Sequence, residues 1–91
     1  MLPQHRRPTH PGEILLEEFL KPSGMTQAKL AEKMGVPVQR INTLINERRD
    51  MTPETAILLS RVFHTSPEFW MNLQTAYDLY VAQQEMTAHA A

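Results

Sequence analysis

Ninety-one residues allow one small domain with a single modest core, and an apolar fraction of 42% is that of a chain that folds. The absence of cysteine excludes disulfides and thiolate metal sites; no apolar run nears the length of a bilayer span and no charged-then-apolar leader opens the chain, so a cytoplasmic protein with no membrane partner is expected. The net charge of −1 says little, but its distribution says more: residues 1–25 balance, residues 26–49 set Lys29, Lys33, Arg40, Arg48 and Arg49 against Glu32 and Glu47, and from Asp50 onward Arg61 alone opposes five acids.

Residues 1–9 are polar and interrupted by Pro3 and Pro8, and read as a flexible arm in which Arg6 and Arg7 are solvated. Pro11 suits a first helical position, and Glu13, Glu17 and Glu18 suit the positive end of a helix dipole. Ile14, Leu15, Leu16, Phe19 and Leu20 form an apolar stripe at helical spacing that Pro22 and Gly24 end. A second helix starts from the hydroxyl of Thr26, buries Leu30, Ala31 and Met34, and stops at Gly35. A third follows Pro37 and runs through Ile41, Leu44 and Ile45 into the polar stretch 46–50. Two further helices open alike, at Thr52-Pro53-Glu54 and Ser66-Pro67-Glu68, each with a hydroxyl cap, a proline in the first turn and an acid beside it. The fourth presents Ala56, Leu59, Val62 and Phe63; the fifth presents Phe69, Trp70, Leu73, Ala76, Tyr77 and Tyr80. Beyond Gln84 the residues are small and polar, and residues 85–91 are expected to fray. No alternating strand pattern competes, so the expectation is an all-α domain of five helices over residues 10–84.

The informative stretch is Thr26 to Asn46, two short helices joined through a glycine turn. Ala31 is small enough for the pair to cross closely, and Leu30, Val36, Ile41 and Leu44 are spaced to fasten it to the core. The second of these helices then exposes Val38, Gln39, Asn42, Thr43 and Asn46, with Arg40 at the edge. This face is hydrogen-bonding, compact and almost free of carboxylates, as a helix that enters a major groove must be. Gln39 and Thr43, one turn apart, are the expected base readers. Arg40 and Asn46 are expected at phosphates, and Lys29, Lys33, Arg48 and Arg49 supply supporting charge.

A single motif of this size makes too few contacts for tight specific binding, so a two-fold homodimer is expected. Phe69, Trp70, Leu73 and Tyr77 on the fifth helix offer more apolar surface than so small a domain readily buries, and are expected to serve both core and dimer interface. His5, His10, His64 and His89 are scattered without paired spacing, so neither a zinc site nor another cofactor is expected. Ser66 is better used as a cap than as a nucleophile, Ser23 and Ser60 have no histidine partner in view, and a domain this small seldom encloses a cleft; catalysis is not expected.

The segment Thr26 to Asn46 resembles the helix-turn-helix of phage-repressor-like regulators, the lambda-repressor-like fold. His10-Pro11-Gly12-Glu13-Ile14-Leu15, Thr52-Pro53-Glu54-Thr55-Ala56 and Ser66-Pro67-Glu68-Phe69-Trp70-Met71-Asn72-Leu73-Gln74, with Tyr77-Asp78-Leu79 after them, are similar to HigA-type antitoxins. The resemblance implies a homodimer that binds double-stranded operator DNA in its own promoter and suppresses a RelE-like ribonuclease toxin. It also implies a phosphate contact for Gln27 at the start of the first motif helix. The sequence departs from that family at Pro37, where a serine or threonine commonly caps the recognition helix, and at Val38, apolar where a polar residue is usual. Pro37 keeps the helix start but loses the hydroxyl, and Val38 suits a thymine methyl. A free-standing regulator without a toxin is the alternative, and a protein-interaction adaptor that has lost DNA binding, suggested by the acidic balance and Val38, is a third reading.

Overall fold

Five helices in the expected order make up the computed structural model, which describes residues 7–89, and no strand occurs among those residues. His5, Arg6 and the rest of the first six residues lie outside the described residues, as do residues 90 and 91 and the side chain of His89. No helix among the described residues is long and apolar enough to cross a membrane, and no group of three potential metal ligands gathers there.

Three segments that follow one another without a break, Pro11–Ile14, Leu15–Leu20 and Lys21–Ser23, form α1. His10 opens it, with Nδ1 accepting the Gly12 N–H at 2.9 Å and Pro11 in the first turn. The middle segment is π-helical: the Lys21 N–H bonds back to the Leu16 carbonyl, five residues away. This widening stands immediately before Pro22, which has no N–H to donate and whose ring in a regular helix collides with the carbonyl four residues back. Pro22 accordingly rides within the last turn, and Gly24 makes the stop.

The motif helices are α2 (Gln27–Met34) and α3 (Val38–Ile45), followed by α4 (Pro53–Phe63) and α5 (Pro67–His89). The three hydroxyl caps stand as read: Thr26 accepts from the Lys29 N–H at 3.1 Å, Thr52 from Thr55 at 3.3 Å, and Ser66 from Phe69 at 3.1 Å. α5 continues as helix past Gln84 to His89, over most of the stretch where fraying is expected. Residues 82–88 are polar and small, but alanine, glutamine, glutamate and methionine are good helix formers and nothing among them breaks a helix.

Leu15 and Leu20 of α1, Leu30, Ala31 and Met34 of α2, Ile41, Leu44 and Ile45 of α3, Met51 of the following loop, Ala56 and Leu59 of α4, and Trp70 of α5 make one buried core. Trp70 is 0% exposed, its ring 5.0 Å from that of Phe19 and its Nε1–H donated to the Thr65 hydroxyl at 2.8 Å. It therefore has no surface to give a second chain, and its expected share in a dimer interface is corrected: the protomer's own core uses the whole indole. Its neighbour Phe69 meets the indole edge-on, with ring centroids 5.0 Å apart, yet stays 38% exposed.

One contact fixes how α1 meets the motif. A Cβ at Gly12 would stand 2.8 Å from the carbonyl carbon of Leu44 and 3.1 Å from Cα of Ile45. Both are backbone atoms, so only glycine lets the start of α1 lie against the end of α3.

Candidate nucleic-acid interface

The turn between α2 and α3 is built by Gly35 at φ 71°, with the Val36 N–H returned to the Ala31 carbonyl at 3.1 Å and the Gly35 N–H to Glu32 at 3.2 Å. These bonds close the last turn of α2 and reverse the chain within two residues. Pro37 is extended at φ −62° and ψ 144°, and no side chain caps α3, as the proline there implied. Ile41, Leu44 and Ile45 then hold α3 by one face, so the opposite face looks outward.

On that outward face Pro37, Val38, Gln39, Asn42 and Asn46 are exposed, while Gln27, Arg40 and Thr43 are half-buried around it. Val38 is 45% exposed, a bare apolar spot among amides. The amides are linked: Asn46 Nδ2 donates to Asn42 Oδ1 at 3.2 Å, and Asn42 Nδ2 donates to Gln27 Oε1 at 3.4 Å. This line ties the start of α2 to the end of α3 and orients Asn42. Gln39 makes no side-chain bond among the described residues and keeps both amide functions.

Thr43 is partly engaged within the protein. Its hydroxyl donates back to the Gln39 carbonyl at 2.9 Å, so its proton is already used within the helix. The same oxygen accepts Nε of Arg49 at 3.3 Å, which draws that guanidinium from the following loop onto the recognition face. Arg49 was only general supporting charge in the sequence; nothing in residue spacing beyond the end of a helix shows that its side chain folds back. Arg40 is likewise committed, with Nη1 3.0 Å from Glu54 Oε1 at the start of α4.

Other charges sort into paired and open. Lys29 and Glu32 pair at 2.9 Å; their side-chain hydrogen bond pushes the lysine up and the glutamate down from their usual ranges, so both stay charged. Lys33 and Arg48 are exposed and form no ion pair among the described residues. Arg7 is not simply solvated: it bonds Glu47 at 3.2 Å and lies 5.3 Å over the Tyr77 ring.

Behind the interface stands a residue that the sequence reading passed over. Gln74 is buried, accepts the Met51 N–H at 2.6 Å, and donates to Asp78 at 2.9 Å and Asp50 at 3.3 Å. It thereby pins the loop leaving α3 to α5. The signal was present, because Gln74 lies one turn beyond Trp70 on the face that carries Leu73 and Tyr77. Of the residues expected at a dimer interface, Phe69 is exposed and Leu73 and Tyr77 are half-buried.

Residues 16–70 match the family described as helix-turn-helix. Antitoxin HigA-1 of Vibrio cholerae is 45% identical over 75 residues, which cover 82% of this chain and 70% of that protein. The HTH-type transcriptional regulator YbaQ of Escherichia coli K12 is 43% identical over 81 residues, covering 89% of this chain and 72% of that one. Among solved structures, Pseudomonas aeruginosa antitoxin HigA with the higBA promoter is similar at a TM-score of 0.82 and 41% identity, covering 93% of this chain and 96% of that one.

Proposed function

The chain belongs to the helix-turn-helix family, a DNA-binding rather than an enzyme family, and from that premise we propose that it binds operator DNA as a homodimer, represses its own operon and neutralises a RelE-like ribonuclease toxin in the cytoplasm. The observation that carries the DNA-binding part is the outward face of α3. Val38, Gln39, Asn42 and Asn46 stand exposed there with no carboxylate among them, on a helix held rigidly from behind. In this reading Gln39 reads a base edge, Val38 meets a thymine methyl, and Asn42, Asn46 and the half-buried Gln27 arrive already oriented by their shared hydrogen bonds. Lys33, Arg48 and Arg49 face the phosphates. Thr43 contributes its remaining acceptor position and its methyl group, while Pro37 sets the entry angle of α3.

An eight-residue helix is about 12 Å long and spans a single half-site. Two copies are needed for a palindrome, and Phe69, Leu73 and Tyr77 on α5 are the proposed contact between them. The antitoxin part is supported by the likeness to HigA-1 and to the promoter-bound HigA. Exposed Glu13 and Glu18 on α1 carry no ion pair among the described residues, whereas Glu17 is bonded to Lys21 at 2.8 Å; the two open acids suit a basic partner. A free-standing regulator is the second reading, favoured by the likeness to YbaQ.

A gel shift with the DNA upstream of the gene, together with co-expression of the neighbouring gene, tests both parts. Retarded operator DNA and a co-purifying, otherwise toxic ribonuclease are expected. A shift with no toxic neighbour leaves the free-standing regulator, and no shift at all removes the repressor.

A further inference from the structure

We propose that Glu54 restrains DNA affinity by masking Arg40, the cation on the edge of the recognition helix. The inference rests on the DNA-binding reading above and assigns a role to a residue outside α2 and α3.

Arg40 lies in the first turn of α3 and Glu54 in the first turn of α4, and folding brings Nη1 and Oε1 to 3.0 Å. The two side chains are unequally placed: that of Arg40 is 31% exposed and that of Glu54 is 74% exposed. Glu54 is therefore not in place for packing. Nor is it the cap of α4, since the Thr52 hydroxyl already takes the Thr55 N–H. What its position does is set a carboxylate on the guanidinium that α3 itself carries at the edge of its outward face. A phosphate and Glu54 then compete for one cation. Binding DNA exchanges one anion for another at Arg40, so fewer counterions are displaced from the duplex than an open arginine displaces, and the released carboxylate is left beside a phosphate strand. Because the pair is largely in water it is weak, and the restraint is graded rather than absolute. Lys29 is paired too, but with Glu32 three residues along its own helix, whereas Arg40 is paired from a separate helix, and Lys33 and Arg48 stay open.

Glu54→Gln keeps the size and a hydrogen-bonding oxygen but removes the charge; Glu54→Ala removes both. Fluorescence anisotropy with the upstream duplex and with a random duplex, at several salt concentrations, gives affinity and salt dependence together. Both variants are expected to bind both duplexes about two- to fivefold tighter than wild type, the range that a weak exposed ion pair permits. The slope of log K against log salt is expected to steepen by about one. In an Arg40→Gln background the gain from Glu54→Gln is expected to vanish. Unchanged or weakened binding by both variants overturns the proposal. So does a gain that persists without Arg40, which assigns the effect to direct repulsion between Glu54 and phosphate. A wild-type protein that binds neither duplex at any salt overturns the DNA-binding reading along with this one, whereas tight wild-type binding indifferent to Glu54 overturns this one alone.

Discussion

Two sets of side-chain amide bonds run through this molecule, and they differ chiefly in their access to water. Gln27, Asn42 and Asn46 are joined along the outward side of the motif, where each can exchange its neighbour for solvent or a ligand. Gln74 bonds Met51, Asp50 and Asp78 from a buried position; its bond to the Met51 N–H is closed to water, although the two carboxylates reach the surface. A buried donor or acceptor that loses its partner bears the full desolvation cost, whereas an exposed one loses almost nothing. The inner set therefore fixes geometry, and the outer set is free to spend its hydrogen bonds on a partner.

Substitution at each set gives opposite outcomes. Gln74→Ala is expected to lower folding stability by about 2–4 kcal/mol, through the cavity and the stranded Met51 N–H, as read by denaturant unfolding. Operator binding by the protein that remains folded should change little; a selective loss of binding at full stability would place Gln74 with the outer set. Gln39→Ala, on the same outward face as the outer set though not bonded into it, is expected to do the reverse. Operator binding should weaken by about 1–3 kcal/mol with random-sequence binding and melting temperature nearly unchanged. Equal weakening on both duplexes would reduce Gln39 to a phosphate contact.

The smallest effect concerns pH and another buried polar residue, His10. Burial pushes its imidazole below the usual 6.5, against the raising influence of Glu47, Asp50 and Asp78, while Arg7 also lowers it. Nδ1 must stay unprotonated to accept the Gly12 N–H, so the folded chain favours the neutral ring. The unfolded chain takes up the proton first on acidification. The contribution of His10 is thus complete above pH 6.5 and is lost as pH falls through the folded value. Melting temperature is expected to drop on that side of neutrality, and His10→Asn, which can cap without titrating, should flatten the drop. An unaltered profile in His10→Asn would assign the acid sensitivity to other groups.

How far these features were legible in the sequence follows from their range. Caps and stops act over three or four residues, so Thr26, Gly35, Thr52 and Ser66 announced their helices correctly. The carboxylate-poor face of α3 was equally readable, because helical period alone separates Gln39 and Asn42 from Ile41 and Leu44. The pairings of Arg40 with Glu54, Arg49 with Thr43 and Arg7 with Glu47 depend on how separate elements dock, and no local pattern encodes them. The blocks beginning at His10 and Ser66, which carry the resemblance to HigA-type antitoxins, lie outside the reading helix. In the structure His10 caps α1, Ser66 caps α5 and Trp70 fills the core, so much of that resemblance is architectural.

The meeting of Gly12 with the Leu44 carbonyl has a consequence for comparing chains of this kind. Adding a single methyl group at position 12 forces α1 and α3 apart, so that one letter reports the height at which the reading helix is mounted on its support. A related chain with a larger residue there must carry its recognition helix at a different elevation above the first helix. Aligned side chains on α3 would then meet a duplex at different depths, and base contacts transferred between two such chains by alignment alone would be displaced. Glycine at this position is thus a calibration mark: where two chains share it, their reading helices can be superposed before their contacts are compared.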